Sequence, residues 1–265
     1  MSSRDPSAFG KPVPGDRSGG VGRARGARDR PHESSTERAR ARGRGGGSGV
    51  PRLGGGGSLP GWVAEELARV TPRSRVPGAA QELEDAAVAF VAGRYAKARH
   101  HAEEAKALAP RLPAIREVLG LSAYRMGRWA QALAELRTYR RLSGDTTHLP
   151  IEMDVLRALE RHDEVEAAYA LLRRLGGSPA AMDEGRVVYA SFLLDQDRAQ
   201  EAWEVARPAA LRAIPSDGDL RVWYVAGRAA ARLGDQSGSR RLYEAIVEAD
   251  PGFPGLDELE AALRG

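Results

Sequence analysis

The sequence has no cysteine and no asparagine, and only three of its 265 residues are lysine. The absence of cysteine excludes disulfides, thiolate metal sites and cysteine nucleophiles, and it suits a reducing compartment. No apolar run approaches the roughly 18 residues of a membrane-spanning helix, and the N-terminus lacks the apolar core of a secretory signal. We therefore expect a cytoplasmic protein without a membrane segment.

Charge divides the chain into two parts. Residues 1–58 hold 12 Lys and Arg against 5 Asp and Glu, together with 15 of the 31 glycines, whereas residues 59–265 have a net charge of −3. Because this first part has few apolar residues to offset the cost of ordering the backbone, we expect a disordered, basic Arg/Gly-rich tail and linker over residues 1–58. Residues 42–46 resemble the RGG segments that contact RNA, although Phe9 is the only aromatic residue of the tail. A solubilising tail and an RNA-binding tail both remain open.

From residue 79 onward, apolar residues follow helical spacing, interrupted by glycine or polar turns. Three residues of the first such unit recur 34 positions later in the second, the pairs being Gly93 and Gly127, Tyr95 and Trp129, and Ala98 and Ala132. The pattern predicts an all-α fold of antiparallel helix pairs. We assign residues 59–78 to a capping helix and linker, and residues 79–265 to a helical solenoid with a final capping helix over residues 256–263.

Small residues recur at two places in the predicted pairs. Those on the first helix of a pair, helix A, are Ala86, Gly120 and Gly227, and those on the second, helix B, are Ala98, Ala132 and Ala202. We expect the helices to approach closely there, because a larger side chain would overpack the contact by about 1 to 3 kcal/mol.

These residues resemble the tetratricopeptide repeat, whose signature is Trp-x2-Leu-Gly-x2-Tyr, then Ala-x3-Phe, then Pro, in a 34-residue period. The fifth unit matches it with Trp223, Gly227, Tyr243 and Pro251. The resemblance covers residues 79–253 in about five units and implies a superhelix whose A helices line a concave groove. Units three and four have Glu160-Arg161 and Asp197-Arg198 where a glycine turn is expected, which predicts an irregular region. The layout is similar to uncharacterised repeat proteins of high-GC bacteria.

The resemblance also implies which side chains face the groove. They are Glu117, Leu121, Tyr124, Arg125, Asp154, Arg157, Glu184, Val187, Ser191, Asp195, Arg221, Tyr224, Arg228 and Arg232. The last four form a basic ridge with one aromatic residue, which suits an acidic peptide or a chain terminus. Alternatively, these arginines solvate an otherwise empty face or pair with Glu and Asp of unit four. The Asn/Lys clamp by which some family members bind chaperone C-termini is excluded, because the chain has no asparagine.

Residues with catalytic or metal-binding chemistry are few. His100 and Glu104 stand four apart on one helix face, as two metal ligands can, but no third and fourth ligand accompany them, so we interpret them as a solvated face. No nucleophile setting, phosphate loop or dinucleotide motif is found. We expect no metal, no cofactor and no enzymatic activity. The sequence favours a protein-interaction scaffold that binds a partner segment in its groove. The alternative is an RNA- or ribosome-associated protein that uses the basic tail.

Overall fold

A computed structural model describes residues 58–264, and all regular secondary structure in this range is helical. The all-α class is therefore confirmed, while the predicted tail, apart from Ser58, lies outside the described residues. A short 3-10 turn, Arg73–Arg75, follows the first helix. The helices of residues 58–264 are α1 (Gly61–Val70), α2 (Val76–Val91), α3 (Tyr95–Leu108), α4 (Pro113–Arg125), α5 (Trp129–Ser143), α6 (Leu149–Ala158), α7 (His162–Leu175), α8 (Pro179–Asp195), α9 (Ala199–Ala206), α10 (Asp217–Arg232), α11 (Gln236–Ala249) and α12 (Leu256–Arg264).

Two sets of helices differ in what they contact. We call the even-numbered helices α2 to α12 the A helices and the odd-numbered helices α3 to α11 the B helices. Every helix packs against the next one in the chain. Further packing joins α2 to α4, α6 to α8, α8 to α10 and α10 to α12, and all of these are A helices. Four of the five successive pairs of A helices thus pack directly on one another, whereas the B helices pack against the neighbouring A helices.

The same turn connects each A helix from α2 to α10 to the B helix that follows. One residue of the turn has a positive φ, between 56° and 78°, and the five residues are Gly93, Gly127, Glu160, Asp197 and Gly234. The next residue donates its N–H to the carbonyl oxygen five positions earlier, at 2.8 to 3.0 Å in all five turns. This bond is typical of the Schellman motif that ends helices. Units three and four therefore form the same turn as the others, although they lack glycine there.

The core has the same register in all five hairpins. The residue five positions after the left-handed residue is fully buried each time, and these residues are Ala98, Ala132, Val165, Ala202 and Ser239. On the facing A helix, Gly120 lies so close to α5 that a Cβ atom there would be 2.7 Å from Cγ of Leu136. The small residues predicted at the helix contact thus lie where the two helices meet.

The two ends of the helical body are covered by shorter helices. Val63 and Leu67 of α1 are fully buried, and α1 packs on α2. At the other end, Leu259 of α12 is fully buried near Gly227, where a Cβ atom would lie 3.1 Å from Cδ2 of Leu259. Both predicted capping helices are present as helices. Within residues 58–264, no helix combines the length and apolarity that crossing a membrane requires.

One B helix, α9, is only eight residues long and is followed by an irregular segment. Its last carbonyl groups are bound by the Arg186 guanidinium, which donates to the carbonyl oxygens of Val205, Ala206 and Arg207 at 3.1 to 3.2 Å. A cation is favourable at the negative end of a helix dipole. Arg186 of α8 thereby stabilises the C-terminal end of this short helix.

Candidate interaction surface

Polar side chains connect successive A helices along the body. We call these contacts the A-to-A bridges. They are Glu117 with His148, Tyr124 with Asp154, Arg157 with Asp195, Arg221 with Glu184, Arg232 with Asp197, and Tyr224 with Glu258. The partners are 30 to 38 residues apart in the chain, so each bridge joins one hairpin to the next.

The first joint, between α4 and α6, contains the most deeply buried bridge. Nε2 of His148 lies 2.7 Å from Oε1 of Glu117, and each side chain is only 1% exposed. The hydroxyl of Tyr124 donates to Oδ2 of Asp154 at 2.7 Å. Burying a carboxylate is costly unless hydrogen bonds or an opposite charge compensate it. These two bridges therefore hold α4 and α6 in one register.

The next two joints use arginine. Arg157 of α6 binds Asp154 of its own helix at 3.2 Å and Asp195 of α8 at 2.9 Å. Arg221 of α10 donates to Oε1 of Glu184 in α8 at 2.9 Å. The guanidinium group suits such contacts because its N–H donors match the two oxygens of a carboxylate.

The last joint, between α10 and α12, depends on Tyr224. Its hydroxyl donates to Oε2 of Glu258 at 3.1 Å, and its ring lies 5.7 Å from the Phe253 ring. The guanidinium carbon of Arg228 is 5.8 Å from the centre of the Tyr224 ring. Burial raises the pKa of the Tyr224 hydroxyl well above its usual range, and the positive charge of Arg228 opposes this only in part. Tyr224 therefore keeps its proton at neutral pH and can donate to the carboxylate.

The predicted groove residues lie mainly in these bridges. Nine of the fourteen predicted groove residues take part, and they are Glu117, Tyr124, Asp154, Arg157, Glu184, Asp195, Arg221, Tyr224 and Arg232. Leu121 and Ser191 are buried in α4 and α8. Arg125 and Arg228 lie over the rings of Tyr95 and Tyr224, at 5.9 and 5.8 Å.

Two arginines of the basic ridge form ion pairs within the body, as the alternative interpretation predicted. Arg221 and Arg232 bind Glu184 and Asp197, two acidic residues of the fourth hairpin. Arg228 remains half-buried over an aromatic ring. Less cationic surface is therefore available to an acidic ligand than the sequence suggested.

Three bridge residues were not among the predicted groove residues. His148 precedes α6, Asp197 follows α8 and Glu258 lies in α12, so none of them falls on the helix positions that the resemblance implies. A signal was nevertheless present, because Tyr224 and Glu258 are 34 residues apart, the period of the first two units. A search for polar partners at that spacing would have found this pair.

The A helices carry the negative charge of the body. Within their bounds stand 14 acidic and 8 basic residues, a net charge of −6, whereas the B helices hold 10 of each. His100 and Glu104, the possible metal pair, are both exposed on α3. No group of three potential metal ligands occurs in the part of the chain that the structure describes. We call the surface formed by the A helices the A side. Four of the acidic residues counted, Glu117, Glu152, Asp154 and Glu184, are buried and do not lie on this surface.

No protein-family model and no curated protein matches this chain. The resemblance to tetratricopeptide repeats therefore remains a prediction from the residues.

Proposed function

We propose that the chain is a non-enzymatic scaffold, a tetratricopeptide-like solenoid of five helix pairs that binds a segment of a partner protein on its A side. The observation that carries the proposal is the packing pattern, in which the extensive contacts between helices two positions apart join A helices, namely α2 with α4, α6 with α8, α8 with α10 and α10 with α12. Stacked helix pairs of this kind bury a continuous core and leave one extended surface for binding. The identical turns of the five hairpins support the regular stacking.

We further propose that the partner segment is basic. The expectation of an acidic partner depended on Arg221, Arg228 and Arg232. Arg221 binds the buried Glu184, whereas Arg232 forms a surface pair with Asp197 and keeps 56% of its side chain exposed. When the four buried carboxylates are left out, the A helices retain 10 acidic and 8 basic residues, and this surplus favours a positively charged guest. Asp195 offers an accessible carboxylate, because 48% of its side chain is exposed even though it binds Arg157.

The test is a quantitative affinity purification with the full-length chain and two charge-reversal variants. The A-side variant carries Asp195→Lys and Asp257→Lys, and the matched B-side control carries Glu104→Lys and Glu248→Lys. Both variants change the net charge by the same amount, and circular dichroism verifies that both are folded. We expect the A-side variant to recover the proteins captured by the wild type at least about tenfold less, which corresponds to a loss of roughly 1.4 kcal/mol in binding free energy. The B-side control should capture them as the wild type does. Equal capture by both variants would show that the A side is not the binding surface.

A further inference from the structure

We propose that the chain has a second docking surface, at the C-terminal ends of the B helices α5 and α7, which binds an acidic amphipathic helix of a partner protein. Three exposed apolar residues mark it. They are Leu142 at the end of α5, Leu175 at the end of α7 and Ile214 in the connection after α9, and they are 39%, 56% and 90% exposed. Each connection from a B helix to the next A helix lies at the same end of the hairpins, and we call this end the connection edge. It is separate from the A side, so this inference goes beyond the function proposed above.

The two leucines occupy the same register of neighbouring helices. Leu142 and Leu175 each stand 15 positions after the left-handed turn residue of their hairpin. An ion pair joins the two helices, because Nη2 of Arg137 in α5 lies 2.7 Å from Oε2 of Glu164 in α7. A helix with its side chains is about 10 to 12 Å wide, and seven residues of an α-helix rise about 10.5 Å. A partner helix with an apolar residue at every seventh position therefore has the spacing to contact both leucines.

Arginines without ion pairs accompany these leucines. Arg141 stands directly before Leu142, and Arg173 and Arg174 stand directly before Leu175. All three arginines are exposed, and none of them has an ion-pair partner in the part of the chain that the structure describes. Charge complementarity therefore favours a partner that presents carboxylates beside its apolar residues.

The acidic residues near the connection edge are already bound. The last two turns of α5 and α7 and the connections that follow, residues 136–148 and 168–178, hold five arginines and one acidic residue, Asp145. Oδ1 of Asp145 accepts a backbone N–H at 2.7 Å. Carboxylates in the first turns of α6 and α8 bind other arginines, and the pairs are Glu152 with Arg140 and Asp183 with Arg186. The body therefore does not neutralise Arg141, Arg173 and Arg174 as it does Arg221.

The composition of the connection edge favours a protein partner over RNA. Proteins that recognise single-stranded RNA stack its bases on aromatic side chains. The connections over residues 140–148, 172–178 and 207–216 contain no Phe, Tyr or Trp. They expose leucine and isoleucine instead, and an apolar partner surface would remove these side chains from water. An acidic amphipathic helix meets both the apolar and the cationic requirement.

Fluorescence anisotropy with the full-length protein tests the proposal. The probe is a labelled synthetic helix of about 21 residues, roughly 30 Å long. It has leucine at every seventh position, glutamate at the positions that flank this stripe, and alanine elsewhere. A scrambled probe has the same composition without the regular spacing. We expect the wild type to bind the first probe at least about tenfold more tightly than the scrambled one, because only the first aligns its leucines with the edge.

Two variants of the edge separate charge from apolar contact. R141E/R174E and L142S/L175S should each weaken binding of the regular probe at least about tenfold. The matched control is R240E/R241E, which makes the same change of charge at two exposed arginines in the second turn of α11. It should bind the probe as the wild type does. All substituted side chains are exposed, and circular dichroism verifies that each variant is folded.

Several results would overturn the proposal. Equal affinity of the wild type and R141E/R174E would mean that the probe binds another basic part of the chain. Equal affinity for the regular and the scrambled probe would mean that the row of apolar residues is not recognised. Sedimentation with phosphatidylserine vesicles gives a third arm. If the wild type binds vesicles but not the probe, and R141E/R174E loses the vesicles, the edge contacts a membrane rather than a protein.

The A-side variant separates this proposal from the scaffold function. Asp195→Lys with Asp257→Lys changes the other surface and should bind the acidic probe at least as well as the wild type. The capture experiment uses no acidic probe, and the probe titration needs no natural partner. A failure of one proposal therefore leaves the result for the other unchanged.

Discussion

Glu160 and Asp197 have the same left-handed backbone conformation, with φ angles of 57° and 56°, at the ends of α6 and α8. Glycine occupies the equivalent position in the other three hairpins, at Gly93, Gly127 and Gly234. For a residue with a Cβ atom, this conformation costs about 1 to 2 kcal/mol. The third and fourth hairpins therefore contain a local strain that the others lack.

Replacing Glu160 with glycine should relieve this strain. Glycine loses about 0.5 to 1 kcal/mol more conformational entropy on folding, so we expect a net gain of about 0.5 to 1 kcal/mol in the free energy of unfolding. Urea denaturation measures the change. Gly127→Ala is the matched control at the equivalent turn and should destabilise the protein by a similar amount. A lower stability of Glu160→Gly would mean that the side chain of Glu160 contributes more than the backbone costs.

The contact between α4 and α5 should not tolerate a large residue at Ala132. This side chain is fully buried on the B helix, so Ala132→Leu should lower the free energy of unfolding by about 1 to 3 kcal/mol. Ala134 lies on the same helix but is exposed, and Ala134→Leu should change stability by no more than about 0.5 kcal/mol. Thermal or urea unfolding of both variants tests the register, which would be wrong if the two substitutions had equal effects.

Substitutions of Glu117 and His148 should have strongly coupled effects on the free energy of unfolding. His148→Leu leaves the Glu117 carboxylate buried without its imidazole partner, and we expect a loss of about 3 kcal/mol in the free energy of unfolding. Glu117→Leu in the same chain should restore part of that loss, because the double variant no longer buries the carboxylate. A double-mutant cycle from urea denaturation gives the interaction energy. Additive effects of the two substitutions would show that the bridge contributes little.

Stability at alkaline pH should depend on Tyr224. Burial raises the pKa of its hydroxyl above the usual value of about 10. The stability linked to this raised pKa is fully present below pH 10, and it is lost as the pH rises from there toward the folded-state pKa. Tyr224→Phe should cost about 1 kcal/mol at pH 8, for the hydrogen bond to Glu258. The variant should then lose less stability than the wild type between pH 8 and pH 11.

Chemical denaturation at the two pH values measures this difference. Hydrogen exchange of α12 gives a second readout, because Tyr224→Phe should increase exchange in this helix above that in α2. Identical pH dependence of the wild type and Tyr224→Phe would contradict the assignment of the alkaline loss to this hydroxyl.

Helical class and register were predictable because their signals are local. Apolar spacing and the glycines at 93, 127 and 234 mark helices and their ends in the sequence itself. The left-handed turn at Glu160 was not predictable, since glutamate does not favour that conformation. Aspartate adopts it more readily, but far less often than glycine, so Asp197 gave only a weak signal. Sequence reasoning thus found the hairpins but expected two of them to be less regular.

The polar contacts were harder to predict than the helices. The residues on the A helices could be named from the resemblance, but their partners depend on how far each hairpin is displaced from the next. Arg221 illustrates this, because its position was consistent both with an open basic ridge and with an ion pair to Glu184. Only the distance between α8 and α10 decides between the two, and that distance is not written in either helix alone.

The A-to-A bridges differ in chemistry from one joint to the next. Imidazole and phenol meet carboxylates between α4 and α6, guanidinium meets carboxylate between α6 and α8 and again between α8 and α10, and phenol returns between α10 and α12. A hairpin moved or duplicated within the chain would face a neighbour whose polar side chains do not pair with its own. The order of the hairpins is consequently fixed by side-chain chemistry, even though their backbones are interchangeable at the turns.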